Sequence, residues 1–261
     1  MKTPKERRFR PWLIVIIGLL VLVVAVIGLT PFALVNRAMP AKWQLLSPSG
    51  NAWRGEWQNV SGYGKRYPLH CRYRWQRMDW QSVTYRLNCE TPLAVSAEVR
   101  LEKNGDITVT GASIHGELQQ AQDWLYLSGL RLPVHAPVDI AIKQVTITAG
   151  RLTYLDIAGT SPQVCLFAAP DDKGSLCASD IEMRTTVPAL SATQAMTIHY
   201  DNPKASEGVQ VDANTWIGAQ EYVTYMEFSG TPLAQYAGML SMVGQKLGDN
   251  RYGIQLVGRM Q

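Results

Sequence analysis

A long uncharged segment near the amino terminus limits what this chain can fold into. No charged residue occurs from Pro11 to Asn36, and residues 12–29 are apolar apart from two glycines. A helix over residues 12–35 would be about 36 Å long, enough to cross a hydrocarbon core of about 30 Å. The apolar run is longer than that of a cleavable secretory signal, and no small-x-small cleavage site follows it. The sequence therefore predicts one uncleaved transmembrane helix.

Charge on either side of this segment predicts the topology. Five basic residues precede it against a single acid, Glu6. Positive charge is retained in the cytoplasm, so we expect a cytoplasmic tail at residues 1–11, the span at 12–35 and an exported body at 36–261. The whole chain has 25 basic and 21 acidic residues, and removing the tail leaves 20 of each. A nearly neutral body argues against a nucleic-acid partner.

The four cysteines form two near pairs, Cys71 with Cys89 and Cys165 with Cys177. Cross-strand partners in a hairpin have residue numbers of constant sum, so the turn lies midway between them. The midpoint of the second pair is Asp171, within a typical turn sequence of proline, aspartates and glycine. We therefore predict two local disulfides. A zinc site is the alternative, although the spacing lacks tight Cys-x-x-Cys pairs.

Beyond the segment, apolar and polar residues alternate with the period of a strand. The clearest example is Leu93–Leu101, followed by Asn104-Gly105, which is typical of a type I′ hairpin turn. Ala149-Gly150 is a second candidate for a tight turn. Similar runs occur at residues 52–63, 70–76, 83–89, 138–148, 151–157, 194–200, 209–212, 221–228 and 251–259. The predicted fold class is mainly β: an antiparallel twisted sheet, or an open barrel-like body.

Helical signals are few. Residues 117–127 could form a short amphipathic helix. A second helix is predicted over Pro232–Leu247, with Thr231 as N-cap, Pro232 at the first position and Gly248 just past the end. The proline-rich residues 132–137 are a possible internal joint.

No motif for catalysis stands out. The four histidines lack metal-ligand spacing, and neither a nucleophile elbow nor a dinucleotide-binding loop is present. The sequence thus predicts no enzyme, no cofactor and no metal, with a periplasmic hydrolase as a minor alternative. In residues 72–75, the strand period puts Arg72 and Arg74 on one face, a possible basic edge for lipid headgroups or an acidic partner. A solvated face that discourages edge pairing is the alternative.

Residues 49–55 carry a family resemblance. The run Ser49-Gly50-Asn51-Ala52-Trp53-Arg54-Gly55 resembles the Gly-x-x-Trp-x-Gly motif of type II secretion system protein N (general secretion pathway protein N), which follows closely on an amino-terminal span. Only Gly50, Trp53 and Gly55 are carried over from that motif. The resemblance implies a non-enzymatic accessory subunit of the bacterial inner membrane, with a periplasmic body and other secretion components as partners.

The same residues have a local physical interpretation. Trp53 would bury a large ring, while Gly50 and Gly55 would permit sharp bends or close approach of the backbone. Contact of Trp53 with a partner is the alternative. A competing hypothesis for the whole body is a membrane-anchored lipid-handling module with an apolar groove in the sheet, although a covered sheet face gives the same alternating pattern.

Overall fold

The structure is a computed structural model, and the predicted tail and span lie outside the residues that it describes. The described ranges are residues 43–62, 65–121, 134–166, 176–203, 208–219 and 221–259. Within these ranges, no helix combines the length and the apolar character that a membrane crossing requires.

Most of the described residues lie in strands, as the alternating pattern predicts. The strands are β1 (Trp43–Leu46), β2 (Ser49–Gly50), β3 (Arg54–Gly62), β4 (Lys65–Met78), β5 (Ser82–Cys89), β6 (Ala94–Glu102), β7 (Ile107–Glu117), β8 (Val134–His135), β9 (Pro137–Thr148), β10 (Arg151–Leu166), β11 (Leu176–Val187), β12 (Met196–Asp201), β13 (Gln210–Ile217), β14 (Glu221–Ser229), β15 (Gln245–Gly248) and β16 (Arg251–Arg259).

All of these strands belong to one antiparallel sheet, which confirms the predicted mainly-β class. Within β3–β7 and within β9–β14, each strand pairs with the next strand in the chain, because short connections favour hairpins. The short strands β2 and β8 pair with β3 and β10. In the part of the chain that the structure describes, β1 and β15 are the two ends of the sheet.

The sheet is continuous past the predicted joint. β7 pairs with β9 from Ile107 opposite Ile147 to Glu117 opposite Pro137. Part of the joint, residues 132 and 133, lies outside the described residues. A joint at 132–137 stays a prediction.

Both predicted disulfides are formed. Cys71 bonds to Cys89 and Cys165 bonds to Cys177, with Cα–Cα distances of 4.0 and 4.1 Å. Each pair also sits directly opposite in the strand register, as the constant-sum argument requires.

Two predicted turns differ in their outcome. Ala149 and Gly150 have φ of 50° and 75°, so this turn needs two residues with positive φ, as in a type I′ hairpin. The Asn104-Gly105 hairpin exists, but the predicted type I′ turn is wrong, because only Gly105 has positive φ. The Gly105 N–H donates to the Glu102 carbonyl, and the Glu102 N–H donates to the Asp106 carbonyl. This is the three-residue loop that ends on a left-handed glycine.

The predicted helix over Pro232–Leu247 is wrong in its length and in its N-cap. A 3-10 helix occupies Thr231–Tyr236, and α1 occupies only Ala237–Val243. The N-cap is Gly230, without a side-chain cap. The helix ends because Gly244 is extended, with φ of −147°, and lies against the Gly253 carbonyl.

The first predicted helix is also shorter than expected in the described residues. Glu117 is the last residue of β7, and Leu118–Ala121 forms one 3-10 turn. Residues 122–127 lie outside the described residues.

The largest core cluster lies between α1 and the carboxyl-terminal strands. Leu233 and Leu240 are fully buried and pack with Phe228, Tyr252 and Ile254. A smaller cluster centres on Met196, Ile198 and Ile217. Burying such side chains is worth about 1.5–3 kcal/mol each, so α1 is held mainly by packing, because seven residues are too few for a helix to be stable alone.

Candidate functional site

One face of the carboxyl-terminal half of the sheet lines an apolar cavity of about 510 Å³, called here the apolar cavity. A row of residues in direct register crosses seven neighbouring strands of this face: Ile140, Gly159, Met183, Tyr200, Ala213, Met226 and Ile254. The flanking positions add more apolar side chains from the same face, including those of Val138, Val164, Leu166, Val211, Phe228 and Leu256. Alternation along each strand therefore produces a continuous apolar wall.

The polar groups in the apolar cavity largely pair with one another. The hydroxyls of Thr215 and Thr224 are 2.9 Å apart, and the Ser161 hydroxyl donates to the Gln163 carbonyl at 2.9 Å. Burial raises the pKa of the Tyr200 hydroxyl. None of the described residues that line the cavity carries a formal charge at neutral pH. Such a cavity suits an apolar ligand.

The motif residues 49–55 form a tight hairpin in which β2 pairs with the start of β3. Gly50 faces Gly55 across the two strands, and a Cβ on either glycine would overlap backbone atoms of the other strand. Gly50 also has φ of 100°, which disfavours any side chain. The expected close approach of the backbone is therefore present.

The loop between the two glycines is held by Asn51 and Tyr73. The Asn51 side chain accepts hydrogen bonds from the N–H groups of Trp53 and Arg54 at 2.9 and 3.2 Å. The Tyr73 hydroxyl donates to the Asn51 carbonyl. Burial, followed by repulsion from Tyr85, raises the pKa of Tyr73 to about 12. The motif thus has a clear folding role.

Trp53 lies in the turn of this hairpin, at the surface. It is half-buried, and its ring meets that of Trp75 edge to face with centroids 5.2 Å apart. A second cavity of about 510 Å³, the tryptophan–arginine pocket, is lined by Trp53, Arg54, Arg74, Trp75 and Gln76. The expectation that Trp53 buries a large ring is met only in part, and the ring also borders a surface pocket.

Arg72 and Arg74 both lie exposed on one face of β4, but their surroundings differ. Arg72 Nη1 is 3.2 Å from a Glu90 oxygen, and its Nε is 3.5 Å from a Glu56 oxygen. Arg74 instead faces Arg54 on β3 and Arg86 on β5. β4 has a partner on each side, so the two arginines lie on a sheet face and not at a sheet edge.

The histidines lie apart on different strands, and three of them contact carboxylates. His70 on β4 is 3.3 Å from Glu90, His115 on β7 is 3.1 Å from Asp139, and His199 on β12 is 3.2 Å from Asp201. In the described ranges, no group of three or more potential ligands could hold a metal ion.

The chain matches no family model, no curated protein and no solved structure. The resemblance to type II secretion system protein N thus depends on the sequence alone: on the uncharged segment, on residues 49–55 and, more loosely, on the strand signals at residues 115–118 and 149–152.

Sequence reasoning missed two features of these sites. It identified Arg74 but not its neighbours Arg54 and Arg86, because their proximity depends on the register of three strands. The sequence also predicted an apolar groove, but not that strands β9–β14 and β16 form its wall. The alternation in β14 was visible, but only the strand order shows that Met226 and Phe228 share a wall with β9.

Proposed function

We propose that this chain is a non-enzymatic accessory subunit of a type II protein secretion apparatus, with a periplasmic interaction domain tethered to the bacterial inner membrane. The observation that carries the proposal is the Gly50–Trp53–Gly55 motif, which follows the uncharged segment as in type II secretion system protein N. Its partners would be other components of that apparatus.

The structure of the motif supports an interaction role. The close pairing of Gly50 with Gly55 fixes the backbone on both sides of Trp53, so the ring is held at a surface pocket beside Arg54 and Arg74. Tryptophan and arginine are the residue types that contribute most often to protein–protein binding energy. A rigid backbone lowers the entropy that such a contact loses on binding.

Site-specific crosslinking in secreting cells tests this proposal. A photoreactive phenylalanine analogue at Trp53 should crosslink to a secretion component, because the side chain borders the pocket. The same analogue at Leu101, which is 41% exposed on β6, is the control for chance collisions. Crosslinks to secretion components at neither position, with normal amounts of protein in the membrane, would refute the proposal.

The apolar cavity favours a second candidate function, a lipid-handling module. Its apolar wall across seven strands is long enough for an acyl chain: neighbouring strands lie about 4.8 Å apart, so the row from Ile140 to Ile254 spans roughly 29 Å. The hydrophobic effect would favour transfer of a chain from water into such a cavity by about 0.8 kcal/mol for each buried methylene.

Native mass spectrometry of the full chain, released from detergent, tests lipid binding. We expect a bound phospholipid in the wild-type protein and its loss from Val211→Trp, which places a large ring in the cavity. Leu101→Trp adds the same ring outside the cavity and should keep the lipid. Equal lipid occupancy in both variants would exclude this cavity as the site.

A further inference from the structure

Three arginines lie in one row across neighbouring strands of the exposed sheet face. Arg54 on β3 is directly opposite Arg74 on β4, and Arg74 is directly opposite Arg86 on β5. All three side chains are exposed. Like charges at directly opposed positions destabilise a sheet, so this row needs an explanation beyond folding.

The neighbouring carboxylates do not neutralise this row evenly. The next position in the row is Glu98 on β6, opposite Arg86. Neither Arg54 nor Arg74 has an ion pair with any other residue that the structure describes, whereas Arg72, two residues away on β4, lies between Glu56 and Glu90. The positive charge therefore remains uncompensated at Arg54 and Arg74.

The uncompensated arginines border the tryptophan–arginine pocket. The rings of Trp53 and Trp75 meet edge to face at its wall, and the backbone N–H of Trp75 donates to the Trp53 carbonyl at 2.7 Å. A bulge in β4 between Trp75 and Arg77 brings the exposed Gln76 to the same pocket. Two arginines, two tryptophans and a glutamine thus line one concave surface. Guanidinium groups bind carboxylates through paired hydrogen bonds, and indole rings bury apolar side chains.

We propose that the tryptophan–arginine pocket is a docking site for an acidic segment of a partner protein that also carries apolar side chains. The source of that partner, a secretion component, rests on the proposed function, whereas the chemistry of the site does not. Arg54 and Arg74 bind the carboxylates, and the Trp53–Trp75 pair covers a neighbouring apolar side chain.

The position of the pocket along β3 favours a protein over a lipid headgroup. The first described residue, Trp43, faces Gly62 at one end of β3, and only seven residues separate it from the predicted span. Arg54 is at the other end of β3, eight residues away, or about 26 Å along the strand. The pocket is thus at the opposite end of β3 from the residue that pairs with Trp43, and a protein partner can reach it there.

Peptide binding to the full chain in phosphatidylcholine nanodiscs tests the proposal. The probe is a short fluorescein-labelled peptide of glutamate and leucine, compared with the same peptide with glutamine in place of glutamate. Fluorescence anisotropy should show binding of the acidic peptide that weakens as salt is added. We expect about tenfold weaker binding for Arg54→Gln and for Arg74→Gln, because each removes one charge-assisted contact.

Arg151→Gln is the matched control, since Arg151 is exposed at the start of β10 and faces Thr148 instead of another arginine. It should bind the peptide like the wild-type chain. Equal binding by all three variants would overturn the proposal. So would competition by phosphatidylglycerol vesicles that displaces the peptide, because the site would then be a headgroup site.

The melting temperature gives an independent readout. Arg74→Gln should melt at the same temperature as the wild-type chain or higher, because the substitution relieves repulsion from Arg54 and Arg86. A lower melting temperature would show that Arg74 serves the fold and would count against a binding role. If peptide binding stands while Trp53 crosslinks to no secretion component, the assignment to a secretion apparatus fails and the docking site does not.

Discussion

The two halves of the sheet have the same hairpin topology but surfaces of different chemistry. Strands β3–β5 pack tyrosine and tryptophan rings close to the Cys71–Cys89 disulfide and display arginines outward. Strands β9–β14 and β16 instead build an uncharged apolar cavity beside a small helix. An antiparallel meander therefore fixes which residues are neighbours, while the side chains on each face decide whether the surface suits a polar partner or an apolar ligand.

A glycine substitution in each half compares the tight β2–β3 hairpin with the helix α1. Gly55→Ala should destabilise the chain by about 3 kcal/mol, because the new Cβ would overlap the Ser49 carbonyl and the Tyr73 ring. Gly238→Ala in α1 meets no atom of the described residues within 4 Å and should stabilise by up to about 1 kcal/mol. Urea denaturation measures both free energies. Equal effects would show that the β2–β3 hairpin can shift to accommodate a Cβ at Gly55.

The two disulfides allow a direct comparison of the halves. Replacing Cys71 and Cys89 by alanine, or Cys165 and Cys177, should lower the free energy of unfolding by about 3 kcal/mol in either case. The reason is that disulfides closing loops of 18 and 12 residues lower the entropy of the unfolded chain by similar amounts. Thermal melting of the two double variants measures the loss. Each pair contains one fully buried cysteine, Cys71 or Cys165, so a much larger loss for one pair would show that packing around its buried cysteine also contributes.

Alkaline pH should weaken the amino-terminal half through Tyr73. Its pKa is raised to about 12 by burial and by Tyr85, so folding favours the neutral hydroxyl. This stabilisation is complete below pH 10 and is lost as the pH rises from about 10 to 12. Tyr73→Phe loses the hydrogen bond to Asn51, worth about 1 kcal/mol, and should be less stable at neutral pH.

The difference between wild type and Tyr73→Phe should therefore shrink as the pH approaches 12, as measured by urea denaturation. The variant should still lose some stability as the pH rises, because burial also raises the pKa of Tyr85 and of Tyr200. Parallel curves for the two proteins across this range would contradict the role of Tyr73.

Local patterns in the sequence predicted features that depend on one hairpin at a time. The cysteine pairs follow from the constant sum of residue numbers, and the strands follow from alternation. The predicted helix over Pro232–Leu247 is too long because residues 245–248 form a hairpin with β16, and this strand pairing outweighs helix propensity.

Strand β10 shows the same limit. The alternating run is predicted only over residues 151–157, yet β10 continues past Gly159 and Pro162 to Leu166. Pro162 is tolerated because, among the described strands, β10 has no partner between Thr160 and Cys165 on the side of β9 and β8. The arginine row and the apolar cavity depend on register across several strands, so a single hairpin pattern could not predict either.

The smallest predicted effect lies in the turn that joins β9 to β10, near the middle of the sheet. Ala149 has φ of 50°, a left-handed conformation that costs an alanine about 1 kcal/mol, and Gly150 follows it with φ of 75°. Asparagine adopts this conformation more readily, so Ala149→Asn should stabilise the chain by about 0.5–1 kcal/mol. The Ala149 N–H, which donates to Asp106 at 3.2 Å, is kept in the variant. Urea denaturation measures the change, and Gly150→Ala, which adds a second strained alanine, should shift stability the opposite way.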